Sequence, residues 1–198
     1  MFFLKGKLYK FFLLTVLLCL SKFSFAQQDL IEEIVVTGSY IKTTSKKDTS
    51  PVDIILRDEI DGIGAFLASD ITRNLSINSG SENNTDAFTS GSTQGTSNIN
   101  LRGLGLSSTL VLIDGRRQTV TGATANDGSV FVNTSAIPLI AIQRVEVLKE
   151  GAASIYGSDA VAGVVNYIFR RGFEGFELDI SDKRTEKGNQ KDQSISFI

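Results

Sequence analysis

The chain has 198 residues, with 20 basic and 22 acidic side chains, no histidine, no tryptophan and one cysteine. Without histidine there are no His-centred triads and no His-ligated metal sites, and the lone Cys19 has no intrachain disulfide partner. The acidic balance, −2 over the whole chain, argues against a nucleic-acid partner, which needs a basic face.

Met1–Ala26 reads as a cleavable export signal: Lys5, Lys7 and Lys10 precede the apolar run Phe11–Leu20, and Ser24-Phe25-Ala26 supplies the cut. The run falls short of the roughly 20 residues needed to span a bilayer. Four of the 20 basic residues and none of the 22 acidic ones lie in this segment, so cleavage takes the net charge to −6 and removes Cys19. Export of an acidic, cysteine-free domain is the expectation.

Ile34, Val35, Val36, Thr37 and Gly38 follow as a short β-prone run between Glu32-Glu33 and the polar linker Lys42–Ser50. Two readings stand for it. It is an ordinary first edge strand, or it is a strand offered to another protein's sheet edge, where backbone hydrogen bonds supply affinity. Pro51 introduces a strand, Val52–Leu56. Asp58 then caps a helix to about Leu75, because Ile60, Ile63, Leu67, Ile71 and Leu75 recur on one face. Gly62 and Gly64 each weaken that helix by about 1 kcal/mol, so it must lean on a sheet.

Ser76–Ser97 is almost wholly polar, with Asn84 at its centre and, after Ile77 at its start, Phe88 as its large apolar side chain. A run this long without structure of its own is either functional or a floppy surface loop. Ile99–Leu104 and Leu110–Ile113 read as strands. Gly103 and Gly105 lack the third glycine, the following helix and the lysine of a phosphate-binding loop. Asp114-Gly115 marks a hairpin turn, with Arg116–Val120 returning. Thr121–Ser129 is a second small polar loop carrying Asn126 and Asp127, and Pro138 opens a short helix, Leu139–Ile142.

The densest pattern is Gln143–Arg171. Ile142, Val145 and Val147 are β-branched, and the valines alternate with Arg144 and Glu146, the period of a half-buried strand. Gly151 punctuates the chain, and Ala152–Tyr156 makes a helical turn or two ended by Gly157. Gly163–Phe169 is nearly continuously apolar around Asn166, which implies a strand buried on both faces. Beyond Arg171 the pattern changes: Phe176, Leu178 and Ile180, then Ile195 and Phe197, alternate with polar residues across the charged turn Asp182–Asp192. Such alternation is the signature of transmembrane β-strands. Two strands cannot close a barrel and open edges are not tolerated in lipid, so the expectation is a piece of a longer protein or a truncated product.

VEVLKEGAASIYGSDAVAGVVNYI, within Gln143–Arg171, resembles the C-terminal part of the plug domain of TonB-dependent outer-membrane receptors. Asn100–Gly105 and Leu110–Arg117 are similar to the middle of that domain, in the same order, and EEIVVTGS is similar to a TonB box. The resemblance covers roughly Asp29–Arg171. It implies an α+β fold: a small mixed β-sheet with short flanking helices, followed by the first one or two strands of a transmembrane β-barrel. The implied division is 1–26 signal peptide, 27–50 TonB box and linker, 51–172 plug, and 173–198 start of the barrel.

The resemblance also implies roles. Ile34, Val35, Val36, Thr37 and Gly38 would bind the C-terminal domain of TonB by strand addition. Arg102, Gly103, Asp114, Gly115, Arg116, Glu146, Gly151, Tyr156, Gly157, Gly163 and Asn166 would be plug-motif and barrel-contact residues, with Arg102 and Glu146 bridging to a polar barrel wall. Asn84, Phe88, Asn126 and Asp127 would be ligand-loop candidates, the ligand being a siderophore, cobalamin or an oligosaccharide. The implied protein sits in the outer membrane, gates transport, uses no cofactor and is not an enzyme. Two rivals are a soluble periplasmic binding or adaptor module and a carboxylate-based secreted hydrolase.

Overall fold

The computed structural model describes residues 37, 52–82, 93–184 and 191–198. Its centre is a five-stranded mixed sheet. In chain order the elements are β1 (Val52–Leu56), α1 (Arg57–Gly62), α2 (Ala68–Arg73), β2 (Thr109–Ile113), β3 (Arg116–Arg117), β4 (Ile142–Leu148), α3 (Ala153–Tyr156) and β5 (Gly163–Phe169). A separate hairpin, β6 (Leu178–Arg184) and β7 (Lys191–Phe197), follows. The sheet order is β1-β4-β5-β2-β3, antiparallel except for the parallel pair β2–β5. This is the mixed sheet with short helices that the sequence implies.

β4 and β5 occupy the middle, and their register sorts the side chains onto two faces. Val145 lies opposite Tyr167 and Val147 opposite Val165, all wholly buried. They pack beneath Ile60 of α1, Ala68 and Ile71 of α2, and Leu101. On the reverse face Leu148 lies opposite Val164, packed with Leu110, Leu112, Ala152 and Ala160. Glu146 lies opposite Asn166 on that same reverse face, and both are wholly buried. The half-buried reading of β4 therefore fails at Glu146, because a second layer covers the face that alternation alone would leave to solvent.

Tyr167 is completely buried, and burial pushes its phenol above the usual tyrosine range. The folded state thus disfavours the phenolate. Its contribution is intact below the unfolded value, near pH 10, and is lost as the pH rises past it. The urea midpoint should fall as the pH rises above about 10, and Tyr167→Phe should flatten that fall in parallel titrations.

The single helix read from Asp58 to Leu75 is two helices. Gly64 adopts φ +63° and breaks the chain between them, and α1 starts one residue before Asp58 with no side-chain cap. α2 is capped from within: the N–H groups of Phe66 and Leu67 donate to Asp70 Oδ2 at 2.8 and 3.1 Å. Ile99–Leu104 is not a strand either. Asn78 and Leu101 form an isolated antiparallel bridge, and Arg102, Gly103 and Gly105 all take positive φ, which a strand cannot accommodate. Only Arg116–Arg117 of the expected return strand pairs with β2.

The hairpin has two unlike faces. Leu178 opposite Phe197 and Ile180 opposite Ile195 are 51–73% exposed, as is Phe176. The opposite face carries Asp179, Ser181, Ser194 and Ser196, and these line a cavity of about 610 Å³ together with Arg57, Asp61 and Phe66. Arg170 pairs with Glu177 where β5 leads into the hairpin, which holds the Glu177 carboxyl below its usual range.

Candidate functional site

Glu146 and Asn166 are neighbours by register, and the polar groups around them converge on one residue from the far N-terminal side. Glu146 Oε1 accepts from Arg144 Nε at 3.0 Å and Nη2 at 2.8 Å. Glu146 Oε2 accepts from the Thr37 backbone N–H at 3.2 Å and also from the Thr37 hydroxyl. Asn166 Nδ2 donates to Thr37 Oγ1 at 2.9 Å and makes a long contact to Glu146 Oε2 at 3.4 Å. Asn166 Oδ1 accepts from the Gly115 N–H at 3.0 Å, which ties the knot to the turn between β2 and β3. Thr37 is itself buried, 3% exposed. A buried carboxylate is tolerated here because both its oxygens meet charged or N–H donors.

The remaining motif residues are distributed around this knot. Arg102, at φ +58°, turns its guanidinium inward onto the carbonyls of Val161 (3.1 Å) and Ala162 (2.8 Å). Asp114 Oδ1 accepts from the Phe169 N–H at 3.1 Å and lies 3.6 Å from Arg171. Arg116 is exposed on β3. The Tyr156 carbonyl and the Asp159 carboxylate both accept from Arg117, which holds Asp159 below the usual carboxylate range. Gly103 and Gly157 take positive φ, and Gly151 and Gly163 lie where a Cβ would meet the Val161 and Leu148 carbonyls.

Two placements differ from the outward, barrel-facing expectation. Glu146 has no exposed surface and is held by Thr37, Arg144 and Asn166, so its carboxylate is bonded within the domain. Arg102 serves as an internal clamp on two carbonyls, because its positive φ aims it at the loop before β5.

Ile34, Val35, Val36 and Gly38 of the expected partner segment, and Asn84 and Phe88 of the first polar loop, lie outside the described residues. Asn126 and Asp127 are exposed. Asp127 Oδ1 accepts from the Ser129 N–H at 2.8 Å, and hydrogen bonding from Ser129 lowers its pKa.

A polar network that the sequence reading did not assemble joins the two loops. The Asn126 N–H donates to Glu82 Oε1 at 2.9 Å, and the Glu82 N–H donates to Asn98 Oδ1 at 2.7 Å. Asn133 Oδ1 accepts from the Ser97 N–H at 3.1 Å and from the Ser135 N–H at 3.0 Å. The run Asn133-Thr134-Ser135 is an Asx/ST-turn composition and is the signal that points to this clip.

Comparison with known proteins identifies the family of this fold. The family model described as the TonB-dependent Receptor Plug Domain matches residues 44–164. Among solved structures, the G324V mutant of the ferric enterobactin receptor PfeA from Pseudomonas aeruginosa is similar, with TM-score 0.55 and 25% identity over 83% of this chain and 23% of that chain. The R480A mutant of the same receptor, in complex with enterobactin, gives TM-score 0.52 and 25% identity over 76% of this chain and 22% of that one. The siderophore receptor PirA from Acinetobacter baumannii shares the fold, with TM-score 0.50 and 23% identity over 74% and 21%. The chain therefore spans less than a quarter of the length of these structures. Over that span, it belongs to the family of TonB-dependent receptor plug domains.

Proposed function

We propose that this chain is the gating part of an outer-membrane receptor that takes up a scarce ligand with energy delivered through TonB. The observation that carries the reading is a plug-family domain running directly into a hairpin with one exposed apolar face and one polar face. A lipid-facing strand pair needs that division, with its polar face turned to the domain inside.

In this reading Met1–Ala26 directs export, and residues 27–50 carry the segment Ile34–Gly38 that adds a strand to the C-terminal domain of TonB. Residues 51–172 occlude the pore, and 173–198 begin its wall. The loops around Asn126 and Asp127, clipped together through Glu82 and Asn98, face the ligand. The similar solved receptors are named for ferric enterobactin and for siderophores, which favours an iron chelate over cobalamin or an oligosaccharide. The domain binds and gates; it does not catalyse.

The test is export and partner binding together. Expressed in a Gram-negative host, the chain should start at Gln27 by mass spectrometry, and it should fractionate with the outer membrane once the remaining strands of a receptor barrel are supplied. It should bind the TonB C-terminal domain in detergent solution. Val35→Pro, which removes a backbone donor from the added strand, should weaken that binding about tenfold or more. A wholly soluble periplasmic product with no TonB affinity would favour the adaptor reading instead.

A further inference from the structure

The exposed face of the β6–β7 hairpin changes character along its length. Leu178 with Phe197 and Ile180 with Ile195 form two apolar rungs, every member at least half exposed. Pleating carries the same face on to two further rungs, Asp182 with Gln193 and Arg184 with Lys191. Asp182 accepts from Arg184 Nε at 2.7 Å and Nη2 at 3.1 Å and from Gln193 Nε2 at 3.0 Å, and Lys191 Nζ lies 3.7 Å away. One two-residue step, about 7 Å, separates the last apolar rung from this ionic cluster.

The final rung sets two cations directly opposite each other, which is destabilising across a strand pair unless an anion lies between them. Asp182 supplies one negative charge against the two positive ones, so the cluster keeps a positive excess. Both cations stay open to solvent, with 65% of the Arg184 side chain and 49% of the Lys191 side chain exposed. Asp182 takes up Nε and Nη2 of Arg184 and leaves Nη1 as a donor for a second anion. Apolar surface followed by an unneutralised, oriented cation pair is the complement of an acyl chain ending in a phosphate.

We propose that Arg184 and Lys191 bind the headgroup phosphate of an anionic lipid whose acyl chains lie against Leu178 and Ile180. The proposal rests on the reading of β6–β7 as the start of a barrel wall, and it adds where the hydrocarbon ends along this hairpin, between Ile180 and Asp182. A cation on a lipid-facing strand is tolerated near the interface and disfavoured at the midplane. Long basic side chains reach a headgroup while their stems stay on apolar surface.

The experiment holds the whole chain in dodecyl maltoside micelles, which carry no phosphate, and titrates in phosphatidylglycerol or diacylglycerol of the same acyl chains. NMR follows the Leu178 amide and the Arg184 Nε–H. Both lipids should shift the Leu178 amide, whereas phosphatidylglycerol alone should shift the Arg184 line, and saturably. Read at the Leu178 amide, Arg184→Gln and Lys191→Gln should each weaken phosphatidylglycerol binding about fivefold, the weight of one basic residue at an anionic surface. Neither should change diacylglycerol binding. Lys149→Gln removes a cation paired with Asp53 on the central sheet and should alter neither lipid.

An Arg184 line that moves equally with diacylglycerol, or variants that bind phosphatidylglycerol as the parent does, overturns the headgroup site and leaves the wall reading of the hairpin in place. An equal shift with inorganic phosphate at matched concentration assigns the cations to free phosphate and overturns the lipid. A Leu178 amide that responds to neither lipid, or a chain without cross-strand contacts between Leu178 and Phe197, overturns the proposal together with the wall reading.

Discussion

Alanine at position 163 is expected to destabilise the domain by about 4 kcal/mol, the largest single effect anticipated for this fold. Gly163 opens β5 at φ +145°, a region that side chains do not adopt. A Cβ there would stand 2.5 Å from the Leu148 carbonyl oxygen and 2.7 Å from Leu101 Cδ1. The carbonyl belongs to β4, and the strand contact on either side is buried, so nothing yields without breaking the β4–β5 pairing. Typical domains are stable by about 5–15 kcal/mol, so such a loss leaves little margin. The urea midpoint of Gly163→Ala against the parent chain measures it. Gly122→Ala is the control: no atom lies within 4 Å of the added methyl, and the midpoint should move by less than about 0.5 kcal/mol equivalent. A Gly163→Ala chain as stable as the control would contradict the close approach described above.

Glu146→Ala ranks second, with an expected loss of about 3 kcal/mol. The substitution removes the acceptor for Arg144, for the Thr37 N–H and hydroxyl and for the long Asn166 contact, and leaves a void on a buried face. Glu146→Gln keeps the volume and an acceptor oxygen, and should cost less than half as much. Denaturation of both variants beside the parent separates the role of the charge from that of the space it fills. Equal stability of all three would mean that the knot contributes nothing to the fold.

The parts of this fold that were readable in sequence are those set by short-range pattern. Val145, Val147 and the run Gly163–Phe169 read as the central strands because β-branched and apolar residues leave few other structures available. Gly157 was legible as the residue ending α3, and it adopts φ +94°. The hairpin β6–β7 follows from strict alternation, and its register keeps all four apolar partners on one side. The failures are equally physical. Ile99–Leu104 looks like a strand by composition, yet Arg102 adopts positive φ at the cost of local strain, offset by its grip on two carbonyls. The helix from Asp58 was split by Gly64, whose freedom the apolar periodicity did not reveal. Glu146 was read as facing outward because alternation reports period and says nothing about what covers the second face. Its pairing with Thr37 spans 109 residues, and no local pattern encodes a contact at that distance.

The order of strands in space has a kinetic corollary for how the sheet assembles. Val52 finds its partner in Leu148, and Thr109 finds Gly163, so the sheet closes through distant pairings, with β2–β3 its one short-range turn. Chains dominated by such distant closures nucleate slowly, since the loop entropy must be lost before any contact compensates for it. Slow nucleation keeps a newly made chain extended, and it delays assembly of the sheet until β4 and β5 have emerged together.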